Sequence, residues 1–267
     1  FQTLFKSKKM TIEVTILGCG SSSGVPAIGN NWGECNPNNP KNRRLRSSIF
    51  IKTNKLSILV DATPDLRQQL LNADIKHLDA VLITHCHADH INGIDDFRFL
   101  NVIMKKDLNM YATKENIEEI RKRFSYVFEK LSPKAKGFYY KPCLIPNEIN
   151  GSFKIQDLEI LSFQQDHGFG ESTGFRIKNF AYSSDVFELN EEILGKLENL
   201  DLWIVDCLRF DPHKSHAHFD KVMNWLKLIK PKKTILTHMN YEVDYDYINS
   251  LLPNNCQAAY DGLKLKV

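Results

Sequence analysis

The sequence predicts an α/β protein, with helices layered against two sheets. Three observations lead there. Short apolar segments at hairpin spacing recur along the chain, longer segments of helical period lie between them, and chemically capable polar residues fall just after strand-like runs. With 267 residues, 42% of them hydrophobic, the chain can bury a full core at the upper end of what one domain holds. Residues 10–267 are read as a single domain. Phe1 to Lys9 precede Met10, the expected natural start, and read as an N-terminal extension or cloning remnant.

The first periodic segment, Thr11 to Leu17, alternates and is rich in β-branched residues, then meets the small-residue loop Gly18 to Gly24. That loop matches neither the P-loop nor the dinucleotide spacing. After an Asn/Pro/Gly-rich stretch from Asn30 to Pro40, Ser47 to Lys52 and Leu56 to Val60 flank Thr53-Asn54-Lys55 as a hairpin, with Asp61 ending its second strand. Pro64 to Ala73 reads as a short helix capped by Thr63, with Pro64 at its first position. A buried strand, Ala80 to Ile83, follows.

Strand-like Asn109 to Ala112 precedes a charged helix from Lys114 to about Phe124. Ser132 to Asn150 carries Pro133, Gly137, Pro142 and Pro146 around the aromatics Phe138, Tyr139 and Tyr140, and reads as an irregular lid or substrate loop. Short strands recur at Phe153 to Ile155, Leu158 to Phe163, Thr173 to Ile177, Phe180 to Tyr182 and Leu202 to Val205. The helix Ala217 to Ile229 buries Phe219, Val222, Met223, Leu226 and Ile229 at helical spacing. A strand at Thr234 to Leu236 and a last pair near Ala258 to Tyr260 and Leu263 to Leu265 complete the series.

The net charge of +3 comes from 35 basic and 32 acidic residues, so charge alone does not imply nucleic acid as a partner. Six cysteines without a Cys-x-x-Cys pair read as reduced thiols. No apolar run approaches the roughly 18 to 20 residues needed to span a bilayer, nor does a secretory apolar core appear. The expectation is a cytoplasmic protein with no membrane partner, for which a homodimer is allowed.

Chemistry concentrates in Thr84-His85-Cys86-His87-Ala88-Asp89-His90. Imidazole and carboxylate ligands suit zinc, iron or manganese, and the chance of this pattern arising by accident is on the order of one in a thousand. His85 and His87, two apart in an extended segment, point the same way, whereas the adjacent Asp89 and His90 diverge, so one loop can feed two neighbouring metals. Four residues do not saturate two metals. His167, Asp185 and His238, each just after a strand-like run, supply the missing ligands.

On these residues the chain resembles the metallo-β-lactamase-fold hydrolase superfamily, whose His-x-His-x-Asp-His signature is met by His85, His87, Asp89 and His90. Within it, the likeness is greatest to the phosphodiesterases that open phosphoribosyl 1,2-cyclic phosphate. It extends through Gly18 to Pro26, Asn42 to Ser48, Asp61 to Leu70, Gly93 to Phe99, Pro212 to His216, Leu236 to Met239 and Ala259 to Gly262. The resemblance implies a four-layer αββα sandwich with metals at the sheet edges. It assigns His85, His87 and His167 to one metal, Asp89, His90 and His238 to the other, and Asp185 to a bridging position. No thiolate belongs to this set, which argues against antibiotic hydrolysis.

The same resemblance makes His216 the group serving the leaving oxygen or phosphate, with Asp89 able to steer the nucleophile. Ser215 reads as a helix N-cap, which would put His216 in the first helical turn, where an anion is favoured. His213 fits a Pro-His-x-x-His pattern and is a second substrate-binding candidate against a surface reading; His218 and His77 read as surface or packing residues. Asp61 resembles a carboxylate that orients a ligand histidine, with a loop cap as the alternative. Arg98 and the basic stretch Lys41 to Arg46 could face substrate phosphates, although structural or solvated roles suit most of them better. Many relatives hold a structural zinc through a cysteine cluster near residues 30 to 36 and a histidine after the last ligand. Only Cys35 and Tyr241 stand here, so no such zinc is expected, and the loop should be held by packing around Trp32.

The expected function is a hydrolase that uses two divalent metal ions, Zn or Mn, to open a small cyclic or nucleotide-like phosphodiester. Alternatives on the same fold are a tRNA 3'-end-type nuclease, disfavoured because no long Gly/Pro-rich arm is present, and a thioester or lactone hydrolase. A metal-stabilised binding protein without catalysis is the reading from another class.

Overall fold

A computed structural model describes residues 11–130, 132, 134 and 141–267. The extension at 1–9 and part of the proposed lid, including Pro133, Gly137 and Phe138 to Tyr140, lie outside the described residues. Among the described residues the chain first lays down β1 (Glu13–Gly18), β2 (Ser48–Lys52), β3 (Ser57–Val60), α1 (Leu66–Asn72), β4 (Ala80–Leu82), α2 (Ala88–Ile91), α3 (Phe97–Met104), β5 (Leu108–Ala112), α4 (Lys114–Arg123) and β6 (Leu144–Glu148). It continues with β7 (Ser152–Ile155), β8 (Leu158–Asp166), β9 (Glu171–Ile177), β10 (Phe180–Ser183), α5 (Glu191–Lys196), β11 (Leu202–Asp206), α6 (Phe219–Ile229), β12 (Lys233–Thr237), α7 (Tyr245–Leu251), β13 (Cys256–Ala258) and β14 (Lys264–Lys266).

Two seven-stranded mixed sheets result, ordered β14-β1-β2-β3-β4-β5-β6 and β13-β12-β11-β10-β9-β8-β7. Their facing surfaces bury a common core that includes Val14, Ile49 and Ile58 from the first sheet and Phe175, Tyr182 and Ile204 from the second. A second apolar cluster fills the space between the first sheet and its helices, where Leu59 and Val81 meet Leu66 of α1, Phe97 and Leu100 of α3 and Ile120 of α4. Burying a side chain such as Phe97 fully is worth about 2–3 kcal/mol relative to exposure. Outside the second sheet Trp203 of β11 packs on Trp225 of α6, ring centroids 6.3 Å apart. Helix, sheet, sheet and helix therefore stack as the predicted αββα sandwich.

Several expectations are corrected. The first helix begins at Leu66 rather than at Pro64: Asp65 stands at its N-cap, and the Thr63 hydroxyl accepts from the Asp65 N–H instead of capping the helix. The end of the supposed lid, Leu144–Glu148, is a strand parallel to β5, and its Pro146 is tolerated because β6 is the last strand of the sheet. The expected final pair is no pair. β13 joins β12 in the second sheet and β14 joins β1 in the first, so the turn at Gly262 (φ +90°) carries the chain from one sheet to the other.

The loop near Cys35 is held differently from the expected packing around Trp32, which is only half-buried. Arg44 is wholly buried and donates to the carbonyls of Asn240 (3.0 Å) and Val243 (2.7 Å) and to Asn42 Oδ1 (3.2 Å), while its Nη1 lies 3.8 Å from Cys35 Sγ. The guanidinium fork thus ties three segments together where packing was anticipated. Its neighbours are structural as well: Arg46 pairs with Asp65 at 2.9 Å, Arg43 lies over Trp32 and Lys41 lies over Tyr245. Arg98 lies over Phe99.

Candidate metal centre

The strands that end at the site run the same way within each sheet. β3 and β4 are parallel, as are β10, β11 and β12, and β8 shares the direction of β10 because both are antiparallel to β9. Their carboxyl ends deliver Asp61, the His85 to His90 run, His167, Asp185, Asp206 and His238 to one crevice, where open α/β sheets bind ligands. Asp61, Asp185 and His238 all have left-handed backbones, with φ of +66°, +53° and +58°. Such conformations cost non-glycine residues roughly 1–3 kcal/mol and concentrate at functional sites.

Two groups of ligand atoms form, each with all members within 4.8 Å of one another: His85, His87, His167 and Asp185 in one, Asp89, His90, Asp185 and His238 in the other. Asp185 joins them through different oxygens. Its Oδ2 lies 3.7 Å from His85 Nε2 and 3.8 Å from His167 Nε2, and its Oδ1 lies 3.3 Å from His90 Nε2 and 3.2 Å from His238 Nδ1. His85 Nε2 is 2.9 Å from His87 Nδ1, and Asp89 Oδ2 is 3.3 Å from His90 Nε2. All are buried except His87, which faces solvent.

The outer hydrogen bonds orient these rings. His90 Nδ1 donates to Asp61 Oδ2 at 2.7 Å, and Asp61 also accepts from the Thr84 N–H and hydroxyl, both at 2.8 Å. Having given its hydrogen to Asp61, the Thr84 hydroxyl accepts from His85 Nδ1 at 3.0 Å. His167 Nδ1 donates to the Ser215 carbonyl at 2.6 Å. Three imidazoles are thereby held in the tautomer that turns an Nε2 lone pair inward, as metal-binding histidines are. His238 Nδ1 lies 3.2 Å from Ser47 Oγ. Asp61 thus combines its two readings, orienting a histidine while closing a loop.

These residues fit divalent cations. His90 Nε2 is buried without a hydrogen-bond partner. Among the described residues neither lysine nor arginine pairs with Asp61, Asp89 or Asp185. Burial holds the His85 and His167 pKa values below the usual imidazole range and takes His238 down to about 4, which keeps these rings neutral. Burial also opposes charge on His90, yet the carboxylates of Asp185, Asp89 and Asp61 outweigh it and raise its pKa. The pocket favours positive charge at its centre, and nitrogen with carboxylate oxygen is a donor set for zinc or manganese.

His216 stands against both groups. Its ring stacks on His238 at 4.9 Å and meets His167 edge-on at 4.8 Å, and its Nδ1 lies 2.8 Å from Asp206 Oδ2. Burial disfavours the imidazolium, but Asp206 outweighs it and lifts His216 to about 9, while burial pushes Asp206 up to about 7. The expected placement of His216 in a helical turn is corrected, since α6 starts at Phe219 with His218 at its N-cap position. His216 lies before the helix, and its hydrogen-bond partner is a buried carboxylate. Asp206 was not anticipated, although its place at the end of an apolar strand is the signal that singled out Asp61. His213 is half-buried, 5.3 Å from the His216 ring and bonded through Nδ1 to Ser215. His77 pairs with Asp79 at the surface.

Comparison with known proteins bears on this geometry. A solved diphosphatase of the PhnP family superposes with a TM-score of 0.88 at 30% identity, over 97% of this chain and 98% of that one. An octanoyltransferase of Porphyromonas gingivalis is 31% identical over 252 residues, which are 93% of this chain but only 50% of that protein, so the chain spans about half the length of this relative. The anti-Pycsar protein Apyc1 of Bacillus phage BSP38 is 24% identical over 72% of this chain and 81% of its own. The beta-lactamase superfamily domain model matches residues 57–239, which include all seven clustered side chains. The chain belongs to the beta-lactamase superfamily and has the metallo-β-lactamase fold, a fold that implies divalent metal ions for the His/Asp cluster it carries.

Proposed function

We propose that the chain is a phosphodiesterase that opens a small cyclic or nucleotide-like phosphodiester with two divalent ions, zinc or manganese. His85, His87, His167 and Asp185 would hold one ion, and Asp89, His90, His238 and Asp185 the other. Bound there, the ions supply Lewis acidity that activates a water and polarises a phosphoryl oxygen. The observation that carries the reading is the His216–Asp206 pair beside the two groups. Anchored through Nδ1 on a buried carboxylate that supports positive charge, the ring is left with Nε2 to donate to a departing oxygen. Asp89 can orient the attacking water, and His213, next to His216, can contact the substrate.

The diphosphatase relative supports phosphorus–oxygen chemistry. The name of the octanoyltransferase raises a thioester reading, but the chain spans only 50% of that protein, and the His216–Asp206 pair favours the phosphodiester. Among the described residues no helix is long and apolar enough to cross a membrane. All six cysteines are free, which supports a cytoplasmic setting.

The test is hydrolysis of bis(p-nitrophenyl) phosphate by the metal-loaded protein. Turnover with Mn²⁺ or Zn²⁺ supports the reading; none with either sinks it. Asp185→Ala should abolish turnover and reduce bound metal by elemental analysis while circular dichroism shows a folded chain.

A further inference from the structure

One aromatic side chain is presented to solvent by a hydrogen-bonded turn that begins at a proposed metal ligand, His167. Phe169 is 87% exposed, although burying a phenylalanine is ordinarily favourable. The turn is closed by His167 N–H to Gly170 O at 2.9 Å, Phe169 N–H to His167 O at 3.0 Å and Gly168 N–H to Asp166 Oδ1 at 2.7 Å. Gly168 has φ +78°, and a Cβ on it would lie 2.2 Å from the Lys214 carbonyl, so the turn is pressed onto the backbone that accepts from His167 Nδ1. The turn thus places the exposed Phe169 two residues after a proposed metal ligand.

Next to it opens a cavity of about 640 Å³ whose lining includes Gly170, Glu171, Glu115, Glu148, Asn116 and Lys114. Asn116, which lines it, touches the loop that carries the histidine run: its Nδ2 donates to the Thr84 carbonyl at 3.4 Å, and its carbonyl accepts from Cys86 Sγ at 3.5 Å. Glu115, Glu148 and Glu171 are exposed and make no ion pair among the described residues, and Lys114 is the cavity's one lining cation among them. A second cavity on the other flank shares Glu171 and adds Asp166 and Glu188. The first cavity thus carries three carboxylates to one cation, while Glu188 of the second is paired with Lys221 at 2.9 Å.

We propose that Phe169 and this acidic cavity select the non-reacting part of the substrate: a planar, uncharged ring of the nucleobase kind stacks on Phe169, and a chain bearing further phosphates on that side is excluded. The selection rests on the phosphodiesterase reading and narrows it to mononucleotide-sized diesters. Stacking on an aromatic side chain tolerates any base but demands a flat face, and like charges disfavour an added phosphate most at low salt.

Binding separates the two ideas. By calorimetry on the Mn²⁺-loaded protein, adenosine 5'-monophosphate should bind roughly tenfold more tightly than ribose 5-phosphate. Phe169→Ala should erase that difference and leave the ribose 5-phosphate affinity unchanged. The triple variant E115Q/E148Q/E171Q should bind a short single-stranded DNA on the order of tenfold more tightly at low salt, with the gain vanishing at high salt. Equal affinity for the two monophosphates in the wild type, a difference that survives Phe169→Ala, or an unchanged DNA affinity in the triple variant overturns the selection. Absent turnover of every phosphodiester, with the binding differences intact, overturns the proposed reaction and leaves the ring selection standing.

Discussion

His216 Nδ1 and Asp206 Oδ2 lie 2.8 Å apart, and the carboxylate is wholly buried with its Oδ1 atom unpartnered. The hydrogen bond to Val186 N–H at 3.1 Å is its other contact. Asp206 therefore acts on the substrate only through His216. Asp206→Asn should lower kcat about 10- to 100-fold with KM and metal content unchanged, and His216→Ala should lower it about 100-fold or more. Steady-state kinetics with elemental analysis of each variant checks both; a fall in bound metal would reassign the pair to holding the cluster.

Asp61 touches no proposed metal position, yet it fixes His90 directly and His85 through Thr84. Asp61→Asn should weaken metal affinity about 10- to 100-fold. Titration against a metal-buffering chelator reads this, and wild-type affinity in the variant would reduce Asp61 to a loop closure.

Gly168→Ala places a Cβ 2.2 Å from the Lys214 carbonyl in a left-handed conformation. The cost should be roughly 1–3 kcal/mol, seen as a lowered midpoint in urea. Because the displaced segment also carries the Ser215 carbonyl, metal affinity should fall with stability.

Asp261 links three segments, accepting from Leu45 N–H at 2.7 Å and from Cys19 N–H at 3.1 Å, and burial pushes its pKa up to about 7. An acid whose folded pKa exceeds its unfolded value of about 3.9 favours folding when protonated. That stability is present below about pH 4 and is lost as pH rises through about 7. In metal-free protein the wild type should lose on the order of 2–4 kcal/mol relative to Asp261→Asn across that window. Equal pH slopes in urea unfolding would remove Asp261 as the cause.

What the residues themselves determined is the chemistry held in local spacing. Two rings at alternate positions followed by adjacent Asp89 and His90 announce a metal site because backbone geometry alone aims them, and strand-end polar residues completed the set with His167, Asp185 and His238. Where packing or distant pairing decides, local pattern was insufficient. The run Phe97 to Met104 forms α3 with Phe97, Leu100 and Asn101 buried at i, i+3, i+4, a period that the exposed apolar Phe99 and Ile103 obscure in the sequence. Pro146 marked β6 as loop because only the sheet shows that this strand is the outermost. The parting of β13 from β14, the buried guanidinium of Arg44 and the partnership of Asp206 with His216 join residues that no sequence spacing relates. Each depends on which backbone groups are left unpaired once two sheets have closed on one another, a condition that only the tertiary structure defines.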